Sequence, residues 1–559
     1  MNKDVAWWYK LGKPQYGGVM NIRASRNILN FDPYNSEGLT SIYGGWMERL
    51  VGDDWTLDPS VWDYRIAWHP SQYRKGILAE SWEFPDLRTH IIHLRRNVHW
   101  QNIPPANGRE FTSEDVLFHY NRLFGLGGGF TKPSPVRAND VNFQDLVSMA
   151  AIDRYTVVFK FKTPNPEFIT ETLHEISQAP CMENSEAVEK WGDVADWHHA
   201  IGTGPFILKD FKPNESATLI KNPNYWGYDE RYPQNKLPYV DAVKYLIIPG
   251  EVETIEMMRS GKIDIVQQVS AAQARSLQKT NPEIIQIPVA LATLAIQPRN
   301  DRAPFNDLRV RKALQMSIDL PKIAKLHYGD TVEPYPSTLT PRKYMKGWGF
   351  PYEEWPQDLK DEYAYNPAAA KMLLAEAGYP RGFKTNVLAD TESDMKLLLM
   401  VKSYFDDIGV DMEIRTMDSN AWLAFVERGQ HDQLIYRPYG PLGNTYAPLR
   451  AITRFQTGLS ANFMMVSDPV FDSFYSQAIA ATSTEKLQQI LKDANERVAR
   501  QHYAISLLQP LAYSLCQPWL KGYNGQIHSV WMGSGGPSML SFYAARFWVD
   551  QNLKKNMGY

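Results

Sequence analysis

The segment Asn-Pro-Ala-Ala-Ala-Lys-Met-Leu-Leu-Ala-Glu-Ala-Gly-Tyr, residues 366–379, contains the signals that begin and end one structural element. Asn366 is a residue type that caps a helix with its side chain, and Pro367 fits the first helical turn. Gly378 is typical of the position just after a helix. These three residues predict a helix over 368–377.

Patterns of the same kind continue through the C-terminal half of the chain. Residues 395–408 have helical spacing and lead into Gly409, and residues 410–416 alternate as a half-buried strand does. Further helices are predicted over 307–318 and 484–501, the latter with its apolar residues on one face. A helix followed by a strand in this rhythm is typical of an α/β domain.

The N-terminal half contains shorter patterns of mixed type. They predict strands at 81–84 and 89–94 joined by a turn at Pro85-Asp86, a helical run at 46–50, a capped helix from Thr112 to Gly125, and strands at 155–162 and 217–221.

Length and charge narrow the class of protein. A chain of 559 residues exceeds what one hydrophobic core usually covers, so we expect two or three domains. The 59 basic and 62 acidic residues form no long block of either sign, which predicts on electrostatic grounds that nucleic acid is not a partner. Residues 287–296 are the longest apolar stretch, far below the roughly 20 residues of a membrane helix. Residues 1–13 lack the apolar segment of a signal peptide, which predicts either a cytosolic protein or a mature sequence with a new Met1.

The two cysteines, Cys181 and Cys516, are too far apart for a CxxC redox pair or a cysteine zinc site. They form either one disulfide or two buried thiols. We expect the disulfide, because it would join an early segment to the C-terminal one and exported proteins retain such bonds.

The common catalytic and metal-binding motifs are missing from the sequence. His174-Glu175 begins like a zinc-protease helix, but Gln178 stands where the second histidine belongs. The glycines at 125–129 lack the dinucleotide spacing because Phe130 replaces the third glycine. Neither a GxSxG nucleophile elbow nor a GxxxxGK[ST] phosphate loop occurs. We therefore expect no catalytic residue, no metal site and no cofactor.

Five blocks, taken in order, resemble extracellular solute-binding protein family 5, the receptors of bacterial ABC importers for oligopeptides, dipeptides, nickel chelates and some oligosaccharides. The blocks are Leu78 to Glu83 with His93 to Val98, Phe111 to Val116, Gly202 to Phe206 with Lys221 to Trp226, Pro304 to Asp319, and Asn366 to Tyr379.

The resemblance implies an α/β, two-lobed periplasmic-binding-protein fold (type II, cluster C) with a hinge between the lobes. It implies a discontinuous first lobe over 1–55, 200–290 and 510–559, an extra subdomain of that lobe over 56–199, and a second lobe over 291–509. A solute would be captured in the cleft between the lobes, which close around it. The closed receptor would deliver the solute to an ABC permease and its ATPase subunits.

The resemblance also carries expectations about location and assembly. The protein would be a monomer, periplasmic or extracellular, and associated with the membrane only through the transporter or a lipid anchor. It would not be an enzyme.

The family pattern assigns one ligand contact that this sequence alters. In peptide-binding members an aspartate in a loop of the second lobe meets the ligand's amino group, but the matching residues 436–449 contain no Asp or Glu. A buried ammonium group without a carboxylate is costly, which weakens the case for a zwitterionic peptide. The segment instead offers Arg437, which would hold a carboxylate with two hydrogen bonds, beside Tyr439, Asn444 and Tyr446.

Other ligand-binding residues follow from the same resemblance. Trp422 matches a pocket tryptophan of the family and would supply a flat apolar wall. Thr40, Ser41 and Tyr43 fall where the family's ligand-facing loop precedes its first helix. A structural role for Arg437 and a core position for Trp422 are the competing interpretations.

Several functions stay open at this point. We rank a peptide first as the solute, by analogy with the family, and keep an oligosaccharide, a nickel chelate or another carboxylate as alternatives. A hydrolase is the distant alternative, and a chaperone or signalling receptor on the same fold is a third class.

Overall fold

The computed structural model describes residues 6–25, 27–34, 41–66, 68–134, 146–164, 181–291, 293–329, 331–336, 345, 347–391, 393–439, 448–459, 461–526 and 540–559. The chain forms two compact units, which are called here the first unit (Met1–Val289 with Ala512–Tyr559) and the second unit (Ala290–Leu511).

The strands of the described chain are, in order, β1 Val19–Ala24, β2 Val51–Asp53, β3 Arg74–Gly76, β4 Ala79–Asp86, β5 Thr89–Leu94, β6 Leu146–Asp153, β7 Thr156–Phe161, β8 Phe206–Lys212, β9 Ser216–Lys221, β10 Tyr228–Asp229, β11 Tyr232–Lys236, β12 Ala242–Ile247, β13 Ile265–Ser270, β14 Ile285–Ala290, β15 Thr293–Pro298, β16 Phe383–Asp390, β17 Val410–Met417, β18 Leu434–Tyr439, β19 Ile505–Ser506, β20 Leu511–Cys516, β21 Leu520–Lys521 and β22 Trp548–Val549.

The α-helices are α1 Ser113–Phe124, α2 Ser185–Trp191, α3 Glu251–Arg259, α4 Ala271–Thr280, α5 Leu308–Met316, α6 Leu320–Tyr328, α7 Gln357–Tyr363, α8 Pro367–Glu376, α9 Met395–Asp407, α10 Ser419–Glu427, α11 Pro448–Ile452, α12 Pro469–Ile479, α13 Thr484–Gln501, α14 Leu540–Arg546 and α15 Gln551–Asn556.

A seven-stranded sheet forms the frame of the first unit, in the order β14-β20-β13-β1-β12-β9-β8. β1 is the middle strand and pairs in parallel with β12, with Val19 opposite Ala242. Its residues Met20, Ile22 and Ala24 are buried, which is the period of two expected of a strand with one face on a core. The same unit contains a four-stranded antiparallel sheet, β4-β5-β7-β6.

The predicted hairpin is present as β4 and β5, but its turn is two residues later than expected. Leu87 and Arg88 form the turn, whereas Pro85 and Asp86 still belong to β4. The carboxylate of Asp86 accepts hydrogen bonds from the backbone N–H groups of Arg88 at 2.7 Å and Thr89 at 2.9 Å. This side-chain bonding stabilises the turn after Asp86.

The helical run expected at 46–50 is wrong. A short 3-10 helix, Ser41–Gly45, lies just before it, and the next residues form a turn at Trp46 followed by irregular structure up to Leu50. The carbonyl of Trp46 accepts a hydrogen bond from the N–H of Gly204, and that of Glu48 from the N–H of Met182. These carbonyls bond to distant segments and are not available to a helix.

A five-stranded sheet forms the frame of the second unit, in the order β17-β16-β18-β15-β19. β16 is parallel to both of its neighbours, and its residues 385–389 are all buried, as expected of a strand covered on both faces. The helices and strand predicted in this half are confirmed as α5, α8, α9, β17 and α13. Asn366 caps α8 by accepting a hydrogen bond from the N–H of Ala369 at 3.0 Å.

The expected disulfide is absent, because Cys181 and Cys516 are both buried free thiols with different neighbours. Cys516 ends β20 opposite Ile265 of β13. Cys181 lies 3.8 Å from the guanidinium group of Arg49. Burial raises the pKa of both thiols, so both stay protonated at neutral pH.

A buried carboxylate, Glu48, lies in the first unit. Tyr225 donates its hydroxyl to Glu48 at 2.7 Å, and the indole N–H of Trp226 donates to the other oxygen at 3.1 Å. Burial raises the pKa of Glu48 to about 7, against the opposing effect of these hydrogen bonds. A raised carboxyl pKa means that the folded state holds this proton more tightly than the unfolded chain, so stability falls as pH rises toward 7.

The substitution Glu48→Gln should remove this pH dependence. Relative to the parent protein, the variant should gain up to about 3 kcal/mol in unfolding free energy between about pH 5 and about pH 8, since one pKa unit corresponds to about 1.4 kcal/mol. Urea unfolding at both pH values measures it. Glu413→Gln is the control, because Arg415 lowers the pKa of Glu413 and the effect of that substitution should not change over this range.

The cap of α8 allows a second test. Asn366→Ala removes the acceptor for the N–H of Ala369 and should lower the unfolding free energy by about 1 kcal/mol. Urea unfolding monitored by circular dichroism measures the change. Asn366→Asp keeps an acceptor and should match the parent protein; equal losses in both variants would contradict the capping role.

Candidate ligand-binding site

The candidate site is formed around Arg437, which lies on β18 opposite Ala295 of β15. Two aromatic rings cover its guanidinium group. The guanidinium carbon is 4.5 Å from the ring centre of Phe463 and 5.5 Å from that of Trp422. Stacking on aromatic faces is a favourable position for an arginine, but an aromatic face does not accept hydrogen bonds from the in-plane N–H donors.

The hydrogen-bonding capacity of Arg437 is incompletely used. Its Nη1 atom is buried and has no hydrogen-bond partner within the described parts of the chain. Arg299 in the same unit differs, because it pairs with Asp301 at 2.7 Å and donates to the carbonyls of Gly429 and His431. A buried donor without an acceptor is costly, so a site with this property suits a ligand that supplies one.

Electrostatics at Arg437 favour an anion. Burial lowers the pKa of Arg437 to about 10, and the positive charge of Arg454 acts in the same direction. Glu427 and Asp390 oppose this effect at longer range. The guanidinium group is still charged at neutral pH. It is already partly desolvated, so a carboxylate that binds there has less water to displace from it.

Trp422 is held in place as part of helix α10. Its indole N–H donates to the carbonyl of Leu388 at 3.3 Å, and it packs in a hydrophobic cluster with Val426, Ile435 and Phe463. The side chain is 4% exposed. Trp422 therefore has a core position and also one face toward Arg437.

The structure gives little on the other predicted ligand-binding residues. Thr40, Asn444 and Tyr446 lie outside the described residues, as do the side chains of Ser41 and Tyr439. The backbone of Ser41 begins the 3-10 helix, and that of Tyr439 pairs with Thr293. Tyr43 is 1% exposed and belongs to the core of the first unit. Their roles in binding stay predictions.

Sequence reasoning missed Phe463, whose ring is nearer to Arg437 than that of Trp422. It also missed Asp390, which ends β16 and whose negative charge partly opposes the lowering of the pKa of Arg437. Both residues lie far from Arg437 along the chain. No spacing signal links them to it, because the contact depends on how strands and loops of the second unit assemble.

The described residues lack two features of other protein classes. They contain no cluster of three or more His, Cys, Asp or Glu side chains arranged to bind a metal ion. In the same residues, no helix combines the length and apolar character needed to cross a bilayer.

The family model for bacterial extracellular solute-binding proteins, family 5 (Middle), matches residues 75–457. The chain belongs to this family. Its members are solute-binding receptors, and the α/β fold predicted from the sequence is confirmed by solved structures of similar architecture.

Individual relatives of this family 5 chain are similar over nearly its whole length. The periplasmic oligopeptide-binding protein OppA of Salmonella typhimurium is 25% identical over 521 residues, which cover 89% of this chain and 88% of OppA. The periplasmic binding protein DppA of Helicobacter pylori, solved with the peptide STSA, has a TM-score of 0.69 at 20% identity, covering 96% of this chain and 99% of DppA. HbpA2 of Haemophilus parasuis has a TM-score of 0.74 at 18% identity, covering 95% and 100%.

Replacing Arg437 with an apolar residue of similar length tests whether its charge is a cost to the fold. Arg437→Met should raise the unfolding free energy by about 1 kcal/mol, because methionine fills the space between the two rings without a buried unpaired charge. Thermal unfolding measures the change.

Arg497→Met is the matched control. Arg497 pairs with Asp468 at 2.5 Å, so its loss should lower stability. If Arg437→Met is as destabilising as Arg497→Met, the guanidinium group of Arg437 serves the fold and the anion site is rejected.

Proposed function

We propose that this chain is the substrate-binding protein of an ABC transporter, that it captures a peptide outside the cytoplasm, and that it hands the peptide to a permease with ATPase subunits. The choice of ligand rests on the charged guanidinium group of Arg437. This group lies against the rings of Phe463 and Trp422, and its buried Nη1 has no hydrogen-bond acceptor among the described residues. OppA and DppA, whose names and bound peptide indicate peptide ligands, support the same choice.

In this proposal Arg437 holds the terminal carboxylate of the peptide. An arginine fork and a carboxylate make two parallel hydrogen bonds, which are stronger than neutral ones. Trp422 and Phe463 fix the plane of the fork, so little side-chain freedom is lost on binding. The ligand supplies the acceptor that Arg437 lacks, and part of the cost of burying the charge is recovered in the complex.

The proposed domain organisation, assembly and location are those of the family. The first unit corresponds to the first lobe, with residues 56–199 as its extra subdomain, and the second unit to the second lobe. The protein acts as a monomer in the periplasm or outside the cell, and reaches the membrane through its transporter or a lipid anchor. It binds and releases its solute unchanged and is not an enzyme.

A carboxylate ligand other than a peptide is the second candidate. The absence of Asp and Glu from residues 436–449 favours it, since that segment offers no acid for the amino group of a peptide. A chelator of nickel with free carboxylates would also satisfy Arg437. A neutral oligosaccharide would leave the guanidinium charge unpaired.

The decisive experiment compares a tripeptide with a free C-terminus and the same tripeptide as its C-terminal amide, by calorimetric titration. Arg437→Gln should weaken binding of the free acid roughly 10- to 100-fold, because hydrogen bonds to charged groups contribute about 1.5–3 kcal/mol. The amide should bind the parent protein and the variant equally weakly.

Arg415→Gln is the control, since Arg415 is an exposed arginine on β17 of the same sheet and pairs with Glu413. It should bind the free acid as the parent protein does. Equal affinity of acid and amide for the parent protein would reject the carboxylate contact. Failure of every peptide, together with a thermal shift by a non-peptide carboxylate, would favour the second candidate. Peptide recovered unchanged by mass spectrometry is expected, and cleaved peptide would reject the receptor role.

A further inference from the structure

A cleft of about 590 Å³ lies within the first unit, formed by three separate segments of that unit. They are the hairpin region around Arg95, the loop around Trp226, and helix α14 with Phe542 and Arg546. The volume is within the range of about 300–1,000 Å³ that small-molecule sites occupy. Arg437 is part of the second unit and takes no part in it.

Trp226 provides a fixed apolar surface in this cleft. Its indole N–H is held by the buried carboxylate of Glu48 at 3.1 Å, and Tyr225 beside it donates to the same carboxylate at 2.7 Å. The ring of Trp226 is half-buried, so part of it is open to solvent in the cleft. An aromatic face held by a hydrogen bond is a preorganised surface for a flat ligand group.

Arg95 is positioned over that surface. Its guanidinium carbon is 5.2 Å from the centre of the Trp226 ring, and its Nε–H donates to the carbonyl of Ile77 at 3.0 Å. The adjacent Arg96 stacks over Tyr155 at 4.8 Å. Both contacts leave the terminal nitrogens of the two guanidinium groups free to bind an oxyanion.

Some of the charged side chains that line the cleft form ion pairs and others do not. Arg546 pairs with Glu230, and Asp229 pairs with Arg231 at 2.8 Å. Within the described ranges, neither Arg95 nor Arg96 lies within ion-pair distance of a carboxylate. Glu80 contributes one further negative charge, so two unpaired positive charges face one negative charge.

We propose that this cleft is a second binding site, specific for a small organic anion. The oxyanion of the ligand, a phosphate or a carboxylate, lies at Arg95 and Arg96, and an adjoining flat apolar group contacts the part of the Trp226 ring that Arg95 leaves open. The site is separate from the proposed peptide contact at Arg437, and the two bind independently.

Phenyl phosphate, inorganic phosphate and benzoate are the probes, measured by calorimetric titration of the full chain. Phenyl phosphate should bind the parent protein, and Arg95→Gln and Arg96→Gln should each weaken its binding at least about tenfold. Benzoate should bind at the same site with the same dependence on both arginines if the site accepts carboxylates. Inorganic phosphate should bind at least about tenfold more weakly than phenyl phosphate, because it lacks the group that contacts Trp226.

Arg88→Gln is the matched control, because Arg88 is an exposed arginine of the same hairpin that does not line the cleft. It should leave binding unchanged. Arg96 is exposed, so its substitution tests the site even if Arg95→Gln fails to fold. No binding of either organic probe, or equal losses in Arg88→Gln and Arg96→Gln, would overturn the proposal. Equal affinities for phenyl phosphate and inorganic phosphate would overturn the part played by Trp226.

Discussion

The guanidinium group of Arg437 is partly removed from water and has no carboxylate beside it among the described residues. The arrangement of the candidate site depends on how the protein stabilises this charge. Phe463 and Trp422 cover its faces, and the acids that favour its charge, Asp390 and Glu427, act only at longer range. The position of the side chain is set by β18, which is paired on both sides within a five-stranded sheet. A rigid strand with a charged group that the protein itself does not neutralise is suited to hold a ligand in one orientation.

The predictions that succeeded rest on local chemistry. Asn366, Pro367 and Gly378 act within one helical turn of themselves, so the ends of α8 could be read from the sequence. The disulfide expectation failed because it requires two cysteines to meet in space, which spacing alone does not decide. Phe463 was not predicted for the same reason, since its contact with Arg437 is not decided by spacing along the chain. Arg437 and Trp422 were identified through the family, and the structure places their side chains together; the aromatic contact could not be predicted from either residue alone.

Two arrangements of arginine among the described residues have different consequences for binding a ligand. Those that meet a carboxylate within the chain, such as Arg231 with Asp229 and Arg497 with Asp468, join segments of the fold and have little charge left for a ligand. Arg95, Arg96 and Arg437 lie against aromatic rings instead. An aromatic ring stabilises a cation without occupying its hydrogen-bond donors, so such positions keep an arginine both ordered and available.

The order of strands has a consequence for synthesis on the ribosome. β20 lies between β14 and β13 in the seven-stranded sheet, yet the whole second unit is translated before β20. The second unit has its own sheet and core and can become compact while the sheet of the first unit still has a gap. During that interval the facing edges of β13 and β14 have unpaired backbone groups, which are the kind of surface that chaperones protect from aggregation. The unit that begins translation first is thus the last to be completed.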